Sequence, residues 1–332
     1  MIIDGFELSG PSDQFSLAPR DDNITIRNNI IESGVCVWVK IDGLNYTHNL
    51  VRNTDPAEVY GSVYHNAIYA EDGGDNWTVT DNKITEVRNA IVMSNVNREY
   101  SNIVFSRNEV IEPLVMGVNI GGNTIIGDIT IHDNIMTNIG NSGVYFGFSD
   151  VRISDDAEIS IFNNEMSNAV HGVFLAADEA GSGAKITVTN NTISDGGVGV
   201  RVYTASVADI IEGINYNKFI DNTWGVYNDS TTEVNATNNW WGDESGPTHA
   251  GNPDGTGNAA NDNVDYDPWF NDEDMTIKTK TFNVTLAAGE TRDRQDTFDS
   301  SRWLAEVGDR FIITLKTPCD EAVKEVLVGE PQ

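Results

Sequence analysis

The 332-residue sequence predicts an all-β protein whose chain winds into a parallel solenoid of about nine to ten coils. Two short phrases recur, both alternate between apolar and polar residues, and successive copies leave no room for crossover helices. Alternation with a period of two is typical of short strands with one buried face. A repeat of about 26 residues cannot bury that face alone, whereas stacked copies can. A leucine-rich repeat is disfavoured because no Leu-x-x-Leu-x-Leu phrase occurs.

The first phrase places an asparagine after two alternating apolar positions, as in Ile129, Ile131, Asn134 and Met136. An amide at each turn can bond its own backbone and the amide one coil away. We therefore expect these side chains to form a structural ladder and not a ligand set. The recurring asparagines are Asn29, Asn49, Asn82, Asn108, Asn134, Asn164, Asn191, Asn217 and Asn239.

The second phrase is a small residue followed by an apolar, a variable and an apolar residue, as in Gly143-Val144-Tyr145-Phe146. Because the two apolar residues point inward, the residue between them is predicted to face solvent. Parallel pairing of equivalent strands stacks these middle positions at about 4.8 Å. They are occupied by Cys36, Tyr69, Val92, Asn119, Tyr145, Phe174, Arg201 and Tyr227.

The chain is predicted to divide into three segments. Residues 1–239 hold the repeats, and residues 240–270 form a terminal cap loop whose aromatic residues suit a lid over the core. Residues 271–332 form a C-terminal tail or small β domain, with strands expected from Thr276 to Leu286 and from Arg310 to Thr317. Since Met1 to Phe6 already lie inside a strand phrase, we expect the start to be the boundary of a longer chain.

The repeats resemble the right-handed parallel β-helix superfamily, the pectate-lyase-like fold, over about residues 1–270. They look most like the NosD-type carbohydrate-binding and sugar-hydrolase repeats of secreted and surface proteins. The likeness is carried by Asn134-Ile135-Met136 with Gly143-Val144, by Asn164-Glu165-Met166 with Gly172-Val173, and by Asn239-Trp240-Trp241-Gly242. The resemblance implies an extracellular or cell-surface location. It does not define an activity, because the fold hosts enzymes, adhesins and structural rods.

Composition excludes several classes of partner. The 51 acidic and 20 basic residues give a formal charge of −31, which argues against non-specific binding of nucleic acid and against docking on an anionic membrane. No apolar run is long enough to cross a bilayer, so membrane insertion is not expected. Two cysteines, Cys36 and Cys319, are too few for a disulfide framework or a four-ligand zinc cluster.

Aromatic residues are unusually frequent at and beside the middle positions, where a solvated face would carry threonine, lysine or glutamate. Rings stacked about 4.8 Å apart form a platform on which sugar faces can lie. The alternative is that loops cover these rings, or that they simply favour strands. The predicted polysaccharide-binding residues are Tyr69, Asn119, Tyr145, Phe174, Tyr203, Trp224 and Tyr227.

Three residues of this stripe, Tyr145, His171 and Arg201, fall on successive coils and are the candidate catalytic residues. A polysaccharide lyase needs a cation beside the uronate carboxylate and a base for the C5 proton. Arg201 can supply the first, and His171 or Tyr145 the second. Against this, the paired aspartates of polygalacturonase-like hydrolases and the Asp-Pro-His-Glu of alginate epimerases are absent from the strand positions.

Acidic residues crowd the terminal loop, and β-helix lyases of the resembling superfamily often use calcium, a cation that prefers oxygen ligands. The candidate calcium ligands are Asp243, Glu244, Asp262, Asp265 and Asp267. A solvated acidic loop is the alternative, because no EF-hand spacing is present.

Three functions remain open at this point. The leading expectation is a non-catalytic extracellular or cell-surface module that binds polysaccharide or a cell-surface glycan along the aromatic stripe. The second is a polysaccharide lyase or glycoside hydrolase acting on the same face. The third is a structural cell-envelope or adhesin rod, for which self-association or neighbouring domains of a longer chain are the expected partners.

Overall fold

The computed structural model describes residues 1–9, 15–32, 34–37, 39–52, 65–93, 98–122, 124–147 and 151–275, and the backbone of three strands in the tail. The chain separates into two units, Met1–Met275 and Thr276–Gln332. In the second unit Thr281–Thr285 pairs in parallel with Arg310–Lys316, which pairs antiparallel with Glu321–Leu327. Cys319 and the side chain of Cys36 lie outside the described residues, and the predicted boundaries after residues 239 and 270 stay predictions.

Three parallel sheets run through the Met1–Met275 unit, and successive coils each contribute a strand to them. The main path of the first sheet consists of Ile2–Asp4, Ile24–Arg27, Ile41–Thr47, Gly74–Thr80, Glu99–Ser106, Ile129–His132, Glu158–Phe162, Lys185–Thr189 and Ile211–Asn215. Beside this path lie the short strands Thr124–Ile125, Arg152–Ile153 and Glu179–Ala180.

The second and third sheets follow the first around each coil. The second consists of Glu7–Leu8, Ile30–Glu32, Leu50–Arg52, Lys83–Thr85, Glu109–Ile111, Ile135–Thr137, Glu165–Ser167, Thr192–Ser194 and Lys218–Ile220. The third consists of Val35–Val37, Ile68–Ala70, Asn89–Met93, Met116–Ile120, Ser142–Phe146, His171–Leu175, Val198–Val202, Trp224–Asn228 and Ala259–Ala260.

These sheets confirm the predicted right-handed parallel β-helix, with nine strands each in the second and third sheets among the described residues. Val234–Asn235 and Val264–Asp265 form a further parallel pair near the end of the unit. The four-residue segment Ala205–Ala208 is helical. In the part of the chain that the structure describes, no helix is long and apolar enough to span a membrane.

The core lies between the three sheets and is filled by the apolar residues of both phrases. Ile129 and Ile131 of the first sheet and Val144 and Phe146 of the third are at most 1% exposed. The small residue of the second phrase is explained by crowding. A Cβ atom on Gly143 would lie 2.8 Å from the backbone carbonyl oxygen of Gly172 and 2.5 Å from the Sδ atom of Met166, so a side chain there would force the neighbouring backbone to shift.

The asparagine ladder is confirmed. Asn134 is typical: its Nδ2 donates to the Oδ1 of Asn164 at 2.9 Å and to the carbonyl oxygen of Phe105 at 2.9 Å, while its Oδ1 accepts from the backbone N–H and Nδ2 of Asn108. All nine asparagines are at most 2% exposed. The residue before each of them adopts a left-handed φ between 52° and 59°, which turns the chain from the first sheet into the second.

Candidate functional site

The middle positions of the second phrase form one vertical series on the third sheet, as predicted. The register pairs Asn119 with Tyr145, Tyr145 with Phe174, Phe174 with Arg201, and Arg201 with Tyr227. Their flanking residues, such as Val173 and Leu175, belong to the core cluster, whereas the middle residues do not. The middle side chains therefore leave the sheet on the side opposite the core.

The prediction that every middle residue faces solvent is wrong for two of them. Val92 is 3% exposed and Phe174 is 2% exposed, although neither belongs to the core cluster. Both are thus covered from the outer side of the sheet. For Phe174 the cover includes Tyr145, whose ring stacks on it with a centroid distance of 5.0 Å and an interplanar angle of 17°.

Phe174 is the centre of a compact aromatic cluster. The ring of His171 lies 5.2 Å from it and that of Tyr203 lies 5.6 Å from it, centroid to centroid. The guanidinium carbon of Arg201 lies 5.9 Å from the same ring. The structure therefore brings together the three candidate catalytic residues, Tyr145, His171 and Arg201, around one buried ring.

Arg201 is held by rings and by a carboxylate. Its guanidinium carbon lies 5.5 Å from the ring centroid of Tyr203 and 5.6 Å from that of Tyr227, within the range of cation–π attraction. Its Nε donates to the Oδ2 of Asp229 at 2.8 Å, and its Nη2 to the Oδ1 at 3.3 Å. This paired hydrogen bond raises the pKa of Arg201 further above its usual value.

His171 is a neutral member of the cluster. Its Nε2 lies 3.4 Å from the Nη1 of Arg201, and its Nδ1 lies 3.4 Å from the Oγ of Ser142. Since Nε2 accepts from the guanidinium, Nδ1 carries the proton and donates to Ser142. Burial and the positive charge of Arg201 lower the pKa of His171 from 6.5 to about 4, while Asp229 opposes the shift.

This pKa has a measurable consequence. We expect the His171 ring resonances to titrate near pH 4 in an NMR experiment, with Nδ1 protonated above that pH. Because the unfolded chain binds a proton at about pH 6.5 and the folded chain does not, the stability that His171 contributes falls as the pH drops from 6.5 toward 4.

The variant His171→Gln provides the control for this titration. It assigns the resonance by removing it, and the variant should lose less stability than the wild type over the same pH interval. A His171 resonance with a midpoint near pH 6.5 would contradict the neutral, arginine-facing ring.

The remaining predicted binding residues divide between this cluster and positions away from it. Tyr203 is 38% exposed, and the half-buried Trp224 and Tyr227 meet edge to face with a centroid distance of 4.8 Å. Asn119 is half-buried on the coil before Tyr145. Tyr69 stacks on Phe15 at 5.9 Å and is separated from Asn119 by Val92.

The continuous surface, here called the aromatic column, comprises Tyr145, His171, Phe174, Arg201, Tyr203, Trp224, Tyr227 and Asp229.

Asp229 is the member that the sequence reasoning missed. It lies two residues beyond the middle residue Tyr227, the same offset that relates Tyr203 to Arg201. Extending that offset by one coil would have placed a carboxylate beside the arginine. The two-residue offset does not predict the direction of the arginine side chain, which extends toward the next coil.

The predicted calcium site in the terminal loop is not supported. Asp243 accepts hydrogen bonds from the backbone N–H and Oγ of Ser245, and Asp262 lies 3.3 Å from the Nε2 of His249 with its side chain 92% exposed. Glu244 uses its backbone carbonyl, which accepts from the Nε1 of Trp269. Among the described residues, no three carboxylate, imidazole or thiol groups converge as metal ligands would.

Two of the predicted ligands, Asp265 and Asp267, line a shallow cavity with Tyr266 and Trp269. Burial and the neighbouring Asp265 raise the pKa of Asp267. The rings of Tyr266 and Trp269 pack against the core, as expected for a lid, and Trp241 is fully buried against Phe219 with a centroid distance of 5.3 Å. The loop thus contributes packing at the end of the core.

Comparison with known proteins gives one family. The family model described as "Periplasmic copper-binding protein (NosD)" matches residues 17–259, more than two thirds of the chain. No curated protein matches this sequence. No solved structure matches it either.

Among the described residues, no three histidine, cysteine, aspartate or glutamate side chains converge as a copper site would require. Copper in proteins prefers histidine, cysteine and methionine ligands. His171 faces Arg201, His132 stacks on Phe162 at 4.8 Å, and His249 lies against Tyr266 at 5.1 Å, so each is engaged separately. His65 is 1% exposed and both of its ring nitrogens lack a hydrogen bond, but no further histidine, cysteine or carboxylate cluster joins it among the described residues.

The matched segment covers most of the three stacked sheets. It begins at Leu17, which bridges to Val35 at the edge of the third sheet, and it ends at Ala259 in the last strand of that sheet. All nine asparagines of the ladder fall within it, whereas the first strands of the first and second sheets, Ile2–Asp4 and Glu7–Leu8, precede it. The chain therefore belongs to the NosD family, a parallel β-helix family described as periplasmic and copper-binding.

Proposed function

We propose that this NosD-family chain binds polysaccharide along the aromatic column without turning it over. The observation that carries the proposal is the register of Tyr145, Phe174, Arg201 and Tyr227 on four successive coils, on the side of the sheet opposite the core. The partly exposed rings of Tyr203, Trp224 and Tyr227 present apolar surface to which the C–H faces of sugars can dock, while their polar atoms can bind hydroxyl groups. A linear glycan can then follow the axis of the coils.

The members of the column have different roles in this proposal. Tyr203, which is 38% exposed, and the half-buried Tyr145, Trp224 and Tyr227 offer the contact surface. Phe174, at 2% exposure, has no free face and fixes the positions of its neighbours. Binding on rings already held in place avoids part of the entropy cost of ordering side chains.

The chemistry of the column favours binding over a lyase reaction. A lyase needs a free cation for the uronate carboxylate, but the guanidinium of Arg201 is engaged by Asp229 at 2.8 and 3.3 Å. It also needs a base, and a pKa of about 4 makes His171 a weak acceptor for a carbon-bound proton. A glycosidase needs two carboxyl groups flanking the bond, and Asp229 is bound to arginine.

The family description supports a place outside the cytoplasmic membrane. Within that compartment we propose an extracellular or cell-surface position, where polysaccharides are available as partners. A purely structural rod is the remaining alternative. It differs from the proposal by predicting ordered self-assembly without retention of any glycan.

The test is a retention screen on immobilised neutral and acidic polysaccharides, with and without calcium, using the full chain. A parallel assay follows ultraviolet absorbance from unsaturated products and the release of reducing ends. Retention without either product is the expected result. Product formation on a retained polysaccharide would replace the proposal by the enzymatic alternative, and self-assembly without retention would replace it by the rod.

A further inference from the structure

We propose that Asp229 sets the ligand class of the aromatic column: by occupying Arg201, it makes the column select uncharged sugars and reject uronate-containing ones. This inference rests on the proposed function, because it concerns the ligand of the same surface. It adds a specificity-determining residue that no recurrent phrase of the sequence contains.

The geometry leaves little of the guanidinium for an anion. An arginine recognises a carboxylate best through two parallel N–H bonds from one edge of its fork. Asp229 occupies the Nε and Nη2 edge at 2.8 and 3.3 Å, and the Nε2 of His171 lies 3.4 Å from Nη1. A ligand carboxylate would have to displace one of these two side chains to gain a two-pronged contact.

The charge balance points the same way. The positive charge of Arg201 is cancelled by Asp229, and the neutral ring of His171 adds none. The chain as a whole carries a formal charge of −31, so an anionic polymer approaches a repulsive field with no compensating charge inside the column. An uncharged sugar meets no such barrier.

The ion pair is suited to hydroxyl groups. Sugar hydroxyls both donate and accept, and a carboxylate has more lone pairs than the two bonds from Arg201 use, while the guanidinium retains N–H groups. The side chains of Arg201 and Asp229 are 30% and 26% exposed, so both can be reached from solvent. The pair can therefore supply acceptors and donors to one neutral ring without separating.

Asp229 can be neutralised without moving the arginine. Arg201 is also positioned by the rings of Phe174, Tyr203 and Tyr227 at 5.5 to 5.9 Å. In Asp229→Asn these contacts remain, and the positive charge of the guanidinium is no longer compensated by a carboxylate. The substitution should convert a column for neutral sugars into one that also accepts uronates.

The matched control is Asp81→Asn. Asp81 accepts from the Nε and Nη2 of Arg107 at 2.8 Å each, at the turn between the first and second sheets. The control therefore removes the same charge and the same kind of pair between neighbouring coils, away from the third sheet. It separates a local effect at the column from the general effect of a less negative protein.

The experiment measures binding by titration calorimetry with three matched pairs of oligosaccharides: gluco-, galacto- and manno-oligomers and the corresponding oligouronates. We expect the wild type to prefer the neutral member of the pair it binds by about tenfold or more, which is about 1.4 kcal/mol. Asp229→Asn should improve uronate binding by about tenfold, and Asp81→Asn should leave the ratio unchanged. Circular dichroism verifies that all three proteins are folded.

Each other outcome has a defined meaning. A wild type that prefers uronates, an unchanged ratio in Asp229→Asn, or an equal gain in Asp81→Asn would overturn the role of Asp229 while leaving glycan binding in place. If the folded wild type binds neither member of any pair nor any polysaccharide in the screen, the proposed function itself is overturned, and this inference with it.

Discussion

Replacing Asn134 by alanine is expected to lower the free energy of unfolding by about 3 kcal/mol or more, since an unpaired buried polar group costs about 1–3 kcal/mol. The change removes the acceptor for two donors of Asn108 and the donors to Asn164 and to the carbonyl of Phe105. Asn134 is 1% exposed, so water cannot replace these bonds without opening the coil.

The measurement is urea unfolding followed by circular dichroism. The control is Asn45→Ala, because Asn45 is exposed on the outer side of the first sheet and lies outside the ladder. Its cost should stay within about 0.5 kcal/mol, as for ordinary surface substitutions. Equal stability of the two variants would contradict the structural role that we assign to the ladder.

The double variant Tyr203→Ala and Tyr227→Ala is expected to weaken glycan binding by about 100-fold. Each ring contributes about 0.5–1.5 kcal/mol in stacking beyond its buried area, and tenfold corresponds to about 1.4 kcal/mol. The guanidinium carbon of Arg201 lies 5.5 Å from the ring centroid of Tyr203 and 5.6 Å from that of Tyr227. Removing both rings therefore also removes two of the contacts that position the guanidinium.

Titration calorimetry with a retained oligosaccharide measures this loss. Tyr216→Ala is the control, because Tyr216 is 46% exposed but contacts Phe270 at the turn into the second sheet, away from the column. Its affinity should equal that of the wild type. Equal affinities for the double variant and the wild type would remove the column as the binding surface.

Much of the fold could be predicted because, in a solenoid, equivalent residues of successive sequence repeats become neighbours on adjacent coils. The spacing of Asn108, Asn134 and Asn164 was sufficient to predict a ladder, and the alternation around Val144 and Phe146 was sufficient to assign the inner face. Both patterns depend on backbone geometry that repeats in every coil. For the same reason, the order of the middle positions was predicted correctly.

The candidate site was predicted less completely, because it depends on the directions in which long side chains extend from the sheet. A period-two pattern assigns Phe174 to the outer side but does not reveal that Tyr145 and its other neighbours reduce its exposure to 2%. Nor does it show that Arg201 reaches one coil forward to Asp229. Those contacts depend on rotamers and on neighbouring coils, which one repeat considered alone does not encode.

The terminal loop shows a different limit of composition. Its carboxylates were predicted to share a calcium ion, yet Asp243 bonds to Ser245 two residues further on and Asp262 points into solvent beside His249. The number of acidic residues predicts the charge of a loop, but it does not predict whether their carboxylate oxygens converge on one point. Convergence requires backbone turns that direct several carboxylates to one point.

Hydroxyl-radical footprinting with a saturating oligosaccharide tests the central claim most directly, because it reports which side chains the ligand covers. We expect oxidation of Tyr203, Trp224 and Tyr227 to fall on binding, while oxidation of the exposed Tyr216 stays unchanged. Protection of Tyr216, or unchanged oxidation of the three column residues at saturation, would show that the glycan binds elsewhere on the coils.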